Sequence, residues 1–159
     1  VIDLIPAGLV HADLLAGMHH VCFAEPWSAN SMAEVLALAG SEGLIAVDGG
    51  SLAPAVEPPG PAGLVLWRRI FDEAEILTIA VLPPWRRQGV GRQLLEAAMD
   101  SAAKAGAATM FLEAAADNHA ALALYRSKGF AEVGVRKGYY GGADGVTMRC
   151  DLEHSLVEC

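Results

Sequence analysis

No lysine and no arginine occurs among the first 67 residues of this 159-residue chain, although seven acids do, and all 11 basic residues follow. A chain with a net charge of −8 and a wholly acidic half lacks the cationic surface that a nucleic acid requires. An acidic half beside a half holding every base suits a cationic acceptor next to a polyanionic ligand. Cysteine is scarce. Cys22, Cys150 and Cys159 are odd in number and lack metal-ligand spacing, so reduced thiols and no bound metal are expected. No apolar run approaches the roughly 20 residues that span a bilayer, and the opening "VIDLIPAGLVHADLL" has no basic n-region. The expectation is a cytoplasmic protein with no membrane partner. Repeats and shifts of composition are absent too, so the 53% hydrophobic content is read as one domain over residues 1–159 with a sizeable core.

Hydrophobic periodicity then predicts a first strand, two helices, three strands, a helix, a strand, a helix and two strands. The first helix starts near Asp13. The second starts after Ser28, an N-cap residue whose neighbour Trp27 is placed to staple onto Met32. Strands are predicted at Leu44–Val47, Leu64–Ile70 and Glu75–Val81. In the last of these, "ILTIAV" is apolar at both parities, as in a central strand covered on both faces. A stripe of Val90, Leu94, Leu95, Ala98 and Ala102 marks a core-facing helix ending at Gly106. "ATMFLEA" reads as a strand, "NHAALALYRSK" as a helix closed by Gly129, and "FAEVGVRK" with "GVTMRCDL" as a final strand pair. Between the second and third strands, "GGSLAPAVEPPGPAG" is too rich in proline and glycine for a ladder and reads as an extended loop, with the option of covering a ligand.

The stretch "VLPPWRRQGVGRQLLEAA" puts arginines and spaced glycines where a helix begins. Unpaired N–H groups and a partial positive charge make such a start an anion site when glycines let backbone approach closely. A P-loop would need a different glycine spacing and a lysine, which "RRQGVGRQL" does not supply. A dinucleotide fingerprint comes closer, with Gly89, Gly91 and the carboxylate of Glu113 a strand further on, but Leu94 stands at its third glycine.

"RRQGVG" also matches the Q/R-x-x-G-x-G/A signature of the GNAT superfamily of acyl-CoA-dependent N-acyltransferases. Together with "PWS", "TIAVLPPWRRQGVGRQLL", "FLEAAADNHAALALYRSKGF" and "RKGYY", in that order and spacing, the chain resembles the bacterial ribosomal-protein alanine N-acetyltransferases of that superfamily. The resemblance implies an α/β GNAT fold, a central mixed and mostly antiparallel sheet flanked by about four helices. It implies acetyl-CoA as cofactor. Ile79, Ala80 and Val81 would lie along the pantetheine arm, Arg86, Arg87, Gln88, Gly89, Val90, Gly91 and Arg92 would hold the pyrophosphate, and Asn118 would also touch the cofactor. Glu113 would act as base and Tyr125 as acid, while Trp27, Ser28, Tyr139 and Tyr140 would wall the acceptor. The partner implied is a protein N-terminal peptide such as a ribosomal protein offers, met by a monomer or weak dimer.

Several of these residues also have plain structural uses. Asn118 or Asp117 is the expected N-cap of its helix, Tyr125 can be a half-buried core aromatic, and Arg86 and Arg87 can be a solvated pair. His19 and His20 read as helix packing. Glu113 is different, because an acid ending an apolar strand is costly to bury without a partner and so faces a wet cleft or a counter-charge.

Amide formation needs a neutral acceptor nitrogen and a stabilised leaving thiolate. An α-amine with a reference pKa of about 7.7 to 8.0 is partly neutral at physiological pH, whereas lysine at about 10.4 needs roughly 4 kcal/mol for deprotonation. A modest base therefore suffices for an N-terminus, acting directly if its surroundings raise a carboxylate's ordinary basicity or through a water if they do not. In "LEAAADN", Ala114 and Ala115 stand where the resembled family has Val-Arg, so a positive group near the acceptor cleft is missing. A small-molecule amine acetyltransferase, acting on a polyamine or an amino sugar, and a non-catalytic acyl-CoA-binding module remain as alternatives.

Overall fold

A computed structural model describes residues 1–152; Cys159, one of the three cysteines expected as reduced thiols, lies outside them. The elements run β1 (Ile2–Pro6), α1 (Ala12–Cys22), α2 (Ala29–Ala37), β2 (Ser41–Asp48), β3 (Gly60–Ile70), β4 (Glu73–Val81), α3 (Val90–Lys104), β5 (Thr109–Ala115), α4 (His119–Ser127), β6 (Ala131–Tyr140) and β7 (Ala143–Asp151). Strand order in the sheet is β1-β2-β3-β4-β5-β7-β6, with β4 central as its sequence predicts. The β4–β5 pair is parallel, whereas β1–β2, β2–β3, β5–β7 and β6–β7 are antiparallel. This is the expected mixed, mostly antiparallel sheet with four α-helices among the described residues. No described helix is long and apolar enough to cross a membrane.

Contacts divide the chain into two units, Val1–Arg68 with Leu77–Ala98, and Arg69–Ile76 with the residues from Met99 onward. In the first, Leu15 and Met18 of α1, Met32 of α2, Ile45 and Val47 of β2 and Leu94 and Leu95 of α3 are buried. Ser28 caps α2 as predicted, its hydroxyl accepting from the Ser31 N–H at 3.1 Å. The strand covered on both faces is β3, whose residues Gly60–Trp67 are all buried. β4, expected to be covered on both faces, alternates instead. Thr78 and Ala80 are buried, while Ile79 and Val81 on the other face are only half-buried. Apolar residues at both parities thus mark a strand whose second face is apolar without being closed off by protein.

The loop between β2 and β3 ends sooner than its composition predicts. Gly60–Gly63 belongs to β3, and the register against β2 shifts between Ala46 and Val47, so that Val47 pairs with Pro61 and Ala46 with Gly63. Such an irregularity is where a ladder tolerates a proline, which cannot donate. Gly63 is required for close approach, because a Cβ there would stand 2.7 Å from the Ala80 carbonyl oxygen and 3.1 Å from Leu94 Cδ1. Gly63→Ala is expected to destabilise the protein by about 1–3 kcal/mol, the range for overpacking, as read from the denaturant midpoint at unchanged m-value.

In the second unit, β7 pairs with both β5 and β6. Leu112 and Ala114 of β5 and Val146, Met148 and Cys150 of β7 are buried. Glu113 and Thr147 therefore share the opposite face, directly across the β5–β7 ladder. Asn118 caps α4 through its side chain, and Gly106 and Gly129 follow α3 and α4 with φ of 107° and 94°, the left-handed conformation that lets a helix stop.

Candidate functional site

The candidate anion loop lies in the first unit. Trp85 is buried and donates from Nε1 to Asp48 Oδ2 at 2.9 Å, and the Leu82 N–H donates to the Ala62 carbonyl at 2.8 Å, which together fasten the loop to β2 and β3. Arg86 Nε donates to the Val81 carbonyl at 2.8 Å and Gln88 Nε2 to the Pro84 carbonyl at 3.2 Å. Arg87 and Gly89 are left-handed, with φ of 65° and 83°. Arg86, Arg87, Gln88, Gly89 and Arg92 are exposed, whereas Val90 is buried and roots α3. A Cβ at Gly89 would meet no atom within 4 Å, so its bare backbone faces open space. Three guanidinium-bearing residues, a helix start with no acid in its first turn and uncovered backbone fit a pyrophosphate by charge and by access. The Cys22 thiol donates to the same Val81 carbonyl at 3.7 Å, and burial pushes its pKa up while Arg86 opposes this.

Trp27 is held at His19. It stacks on His19, ring centroids 5.1 Å apart, and its backbone N–H donates to His19 Nδ1 at 3.0 Å. His19 is more than helix packing. Its Nε2 lies 3.1 Å from Thr78 Oγ1 on β4, and Phe23 stacks on its ring at 4.1 Å. Since Nδ1 accepts, the neutral ring carries its proton on Nε2 and donates to Thr78. Burial lowers its pKa from 6.5 to about 4. The unfolded chain therefore binds a proton that the folded chain refuses, and folding stability falls as pH drops through 6.5 toward 4. The expected loss is on the order of 3 kcal/mol below the lower value, by the conversion of about 1.4 kcal/mol per pKa unit. Denaturation followed against pH in the native chain and in His19→Asn checks this, because the variant loses that part of the acid sensitivity.

The second unit gathers the residues predicted for proton transfer and part of the acceptor wall. Glu113 Oε2 accepts from Thr147 Oγ1 at 3.3 Å and lies 3.5 Å from Arg136 Nε. Arg136 of β6 thus places a positive group beside Glu113, whereas β5 itself carries Ala115 two residues further on. Its guanidinium also covers the Tyr139 ring at 3.6 Å. Tyr139 and Tyr140 meet edge to face at 4.9 Å and end β6. Gly145 separates two of these groups, since a Cβ there would stand 3.2 Å from Glu113 Cδ and 3.3 Å from Tyr140 Cε2. Burial, then the charges of Glu113 and Tyr139, raise the pKa of Tyr140, with Arg136 opposing. Tyr125 is 6% exposed, edge-on to Phe130 at 6.2 Å, and its pKa is pushed up to about 12 by burial and then by Tyr140. Asn118 is exposed; its Oδ1 accepts from the Ala121 N–H at 3.3 Å, which leaves its amide N–H groups for other partners.

The sequence reading missed Arg136, Thr147 and the His19–Thr78 pair. Thr147 was readable from alternation in "GVTMRC", where every other residue is apolar. Arg136 was not, because the β6–β7 register is irregular between Arg136 and Tyr140. The proline-rich loop contributes Pro54, Ala55 and Val56 to a cavity of about 610 Å³ against Leu14, Met18 and Leu82. No described group of three or more His, Cys, Asp or Glu is placed to hold a metal ion.

Residues 13–130 match the Acetyltransferase (GNAT) family. The chain belongs to that family. Over 84 residues it is 46% identical to the [ribosomal protein bS18]-alanine N-acetyltransferase of Escherichia coli K12, covering 53% of this chain and 57% of that protein. The chain thus spans little more than half the length of that curated relative. Over 130 residues it is 41% identical to the N-alpha-acetyltransferase RimI of Mycobacterium tuberculosis, covering 80% of this chain and 77% of the relative. The crystal structure of the ribosomal-protein-S18-alanine N-acetyltransferase from Escherichia coli superposes with a TM-score of 0.85 at 29% identity, over 96% of this chain and 95% of the other. The fold is therefore the GNAT fold.

Proposed function

We propose that this GNAT chain, acting as one domain over residues 1–159, transfers an acetyl group from acetyl-CoA to the α-amine of a protein N-terminus. The acceptor class is the N-terminal peptide of a ribosomal protein, met in the cytoplasm, and the amine attacks directly in a ternary complex. The observation that carries this reading is Glu113, held by Thr147 and Arg136 beside the Tyr139–Tyr140 pair in a chain of this family. Acetyl-CoA supplies the activated thioester. The backbone of Arg86–Gly91 and the exposed guanidinium groups hold its pyrophosphate, Ile79, Ala80 and Val81 line its pantetheine arm, and an Asn118 amide N–H donates to it.

Glu113 takes the proton that the acceptor nitrogen must lose, through a water. One oxygen of its carboxylate is engaged by Thr147 and Arg136, which orients the group for that relay. Tyr125 donates a hydrogen bond to the departing sulfur. Full proton transfer from a phenol at about 12 to a thiolate of ordinary pKa near 8.5 is uphill by roughly 5 kcal/mol, so stabilisation by donation is the larger part of its role. The α-amine is favoured over lysine because it is partly neutral before any base acts. The seven acids and absent bases of residues 1–67 favour a cationic continuation of the acceptor, by steering that salt screens.

The test is thiol release from acetyl-CoA with Ala-starting peptides of basic and acidic continuation, spermidine, an amino sugar and a peptide with only its lysine free. The proposal expects the highest kcat/KM for the basic Ala-starting peptide, with an advantage that shrinks at high salt. Preference for spermidine, the amino sugar or the lysine side chain overturns the acceptor assignment. Binding of coenzyme A without release by any amine identifies a binding module instead.

A further inference from the structure

The connection between α1 and α2 carries Trp27 and Ser28, two residues of the proposed acceptor wall, yet Phe23, Glu25 and Ser28 in it are exposed. A short exposed connection holds one position only if something inside the protein grips it. His19 does so with every polar atom it has. Nδ1 accepts the Trp27 N–H at 3.0 Å, Nε2 lies 3.1 Å from the hydroxyl of Thr78, and the ring faces stack with Phe23 at 4.1 Å and Trp27 at 5.1 Å. The ring is 2% exposed and Thr78 8%, so the bond to Thr78 is shielded from water, while the bond from Trp27 is part-buried. Thr78 immediately precedes Ile79, Ala80 and Val81 on β4. One buried imidazole thus joins the acceptor-wall segment to the strand proposed to line the pantetheine arm.

We propose that His19 is a positioning residue for the acceptor: it locks the α1–α2 connection to β4 and thereby sets where the incoming amine is held. This rests on the reading that Trp27 and Ser28 wall the acceptor. The lock is directional, because a backbone N–H can only donate. Only the ring with its proton on Nε2 satisfies both partners, and a ring protonated on both nitrogens loses Trp27.

Substitutions separate the two bonds. In His19→Asn the side-chain oxygen takes the place of Nδ1 and still accepts from Trp27. In His19→Gln the side-chain nitrogen takes the place of Nε2 and still donates to Thr78. His19→Phe keeps the stacking and neither bond. The expected result is a peptide KM raised about tenfold in His19→Asn and in His19→Gln, the scale of one lost buried hydrogen bond, and raised further in His19→Phe, because the connection is tied to β4 only while both bonds stand. The dissociation constant of acetyl-CoA stays within about twofold in every folded variant, as a role confined to the acceptor side requires. A native peptide KM in either His19→Asn or His19→Gln, or equal rises for both substrates, overturns the proposal. Nitrogen-15 NMR of the histidine rings gives a readout independent of turnover. The proposal expects His19 as the Nε2–H tautomer at neutral pH and in slow exchange, and a Nδ1–H tautomer overturns it. If the native chain acetylates no peptide, the acceptor reading fails by that result alone, whereas the tautomer still decides whether the lock exists.

Discussion

Replacing Tyr125 by phenylalanine is expected to lower kcat by about 10²- to 10³-fold, the range for removing one hydrogen-bond donor to a developing negative charge, while acetyl-CoA affinity stays nearly constant. The ring is buried and packs edge-on against Phe130, and phenylalanine keeps that contact, so the change isolates the hydroxyl. Burial and Tyr140 hold the phenol protonated up to about 12, against an ordinary value of 10. The sign matters for pH dependence: a raised phenol pKa means the donor is lost only at the higher value. The rate should therefore rise as the acceptor amine deprotonates and show no fall from Tyr125 on passing the ordinary tyrosine value. Steady-state kinetics of the variant, with calorimetry for acetyl-CoA, checks both statements. Turnover near that of the native chain would leave Tyr125 as a packing residue.

Gly89→Val should abolish coenzyme A binding in a protein that remains folded. A Cβ at this position meets nothing within 4 Å beyond its chain neighbours, so the branch enters open space. Its φ of 83° costs an L-residue about 1–2 kcal/mol, which a domain can absorb. The same open space is where a pyrophosphate must approach the loop's N–H groups, and a branched side chain fills it. Titration calorimetry on the variant, with a thermal melt as the folding control, should show no heat of binding. Unchanged affinity would remove the loop from the cofactor site.

Local signals account for what the sequence revealed. The α3 stripe, the Ser28 and Asn118 caps and the glycines that close α3 and α4 were readable because each depends on neighbours three or four residues away. The family resemblance named candidate site residues but not the groups that surround them. Arg136 reaches Glu113 only through the register of three strands, and that register slips near the tyrosine pair, so spacing along the chain could not reveal it. The His19 clamp was hidden for a similar reason. Its partner Thr78 lies 59 residues away, and "HH" on a helix carries no mark of which ring turns inward. β4 was misread in burial because apolar character at both parities looks the same whether or not protein closes off the second face. Pro61 concealed the start of β3, since a proline within a ladder is admitted only by an irregularity that the partner strand supplies.

The most direct test of the account is to locate the acetyl group. The chain is incubated with acetyl-CoA and a peptide that begins with a free alanine α-amine, continues with basic residues and carries an internal lysine, and the product is sequenced by mass spectrometry. The account predicts one acetyl group on the α-amine, one coenzyme A thiol released per peptide modified, and strong loss of both in Tyr125→Phe. Acetylation of the lysine ε-amine with the α-amine left free would contradict it.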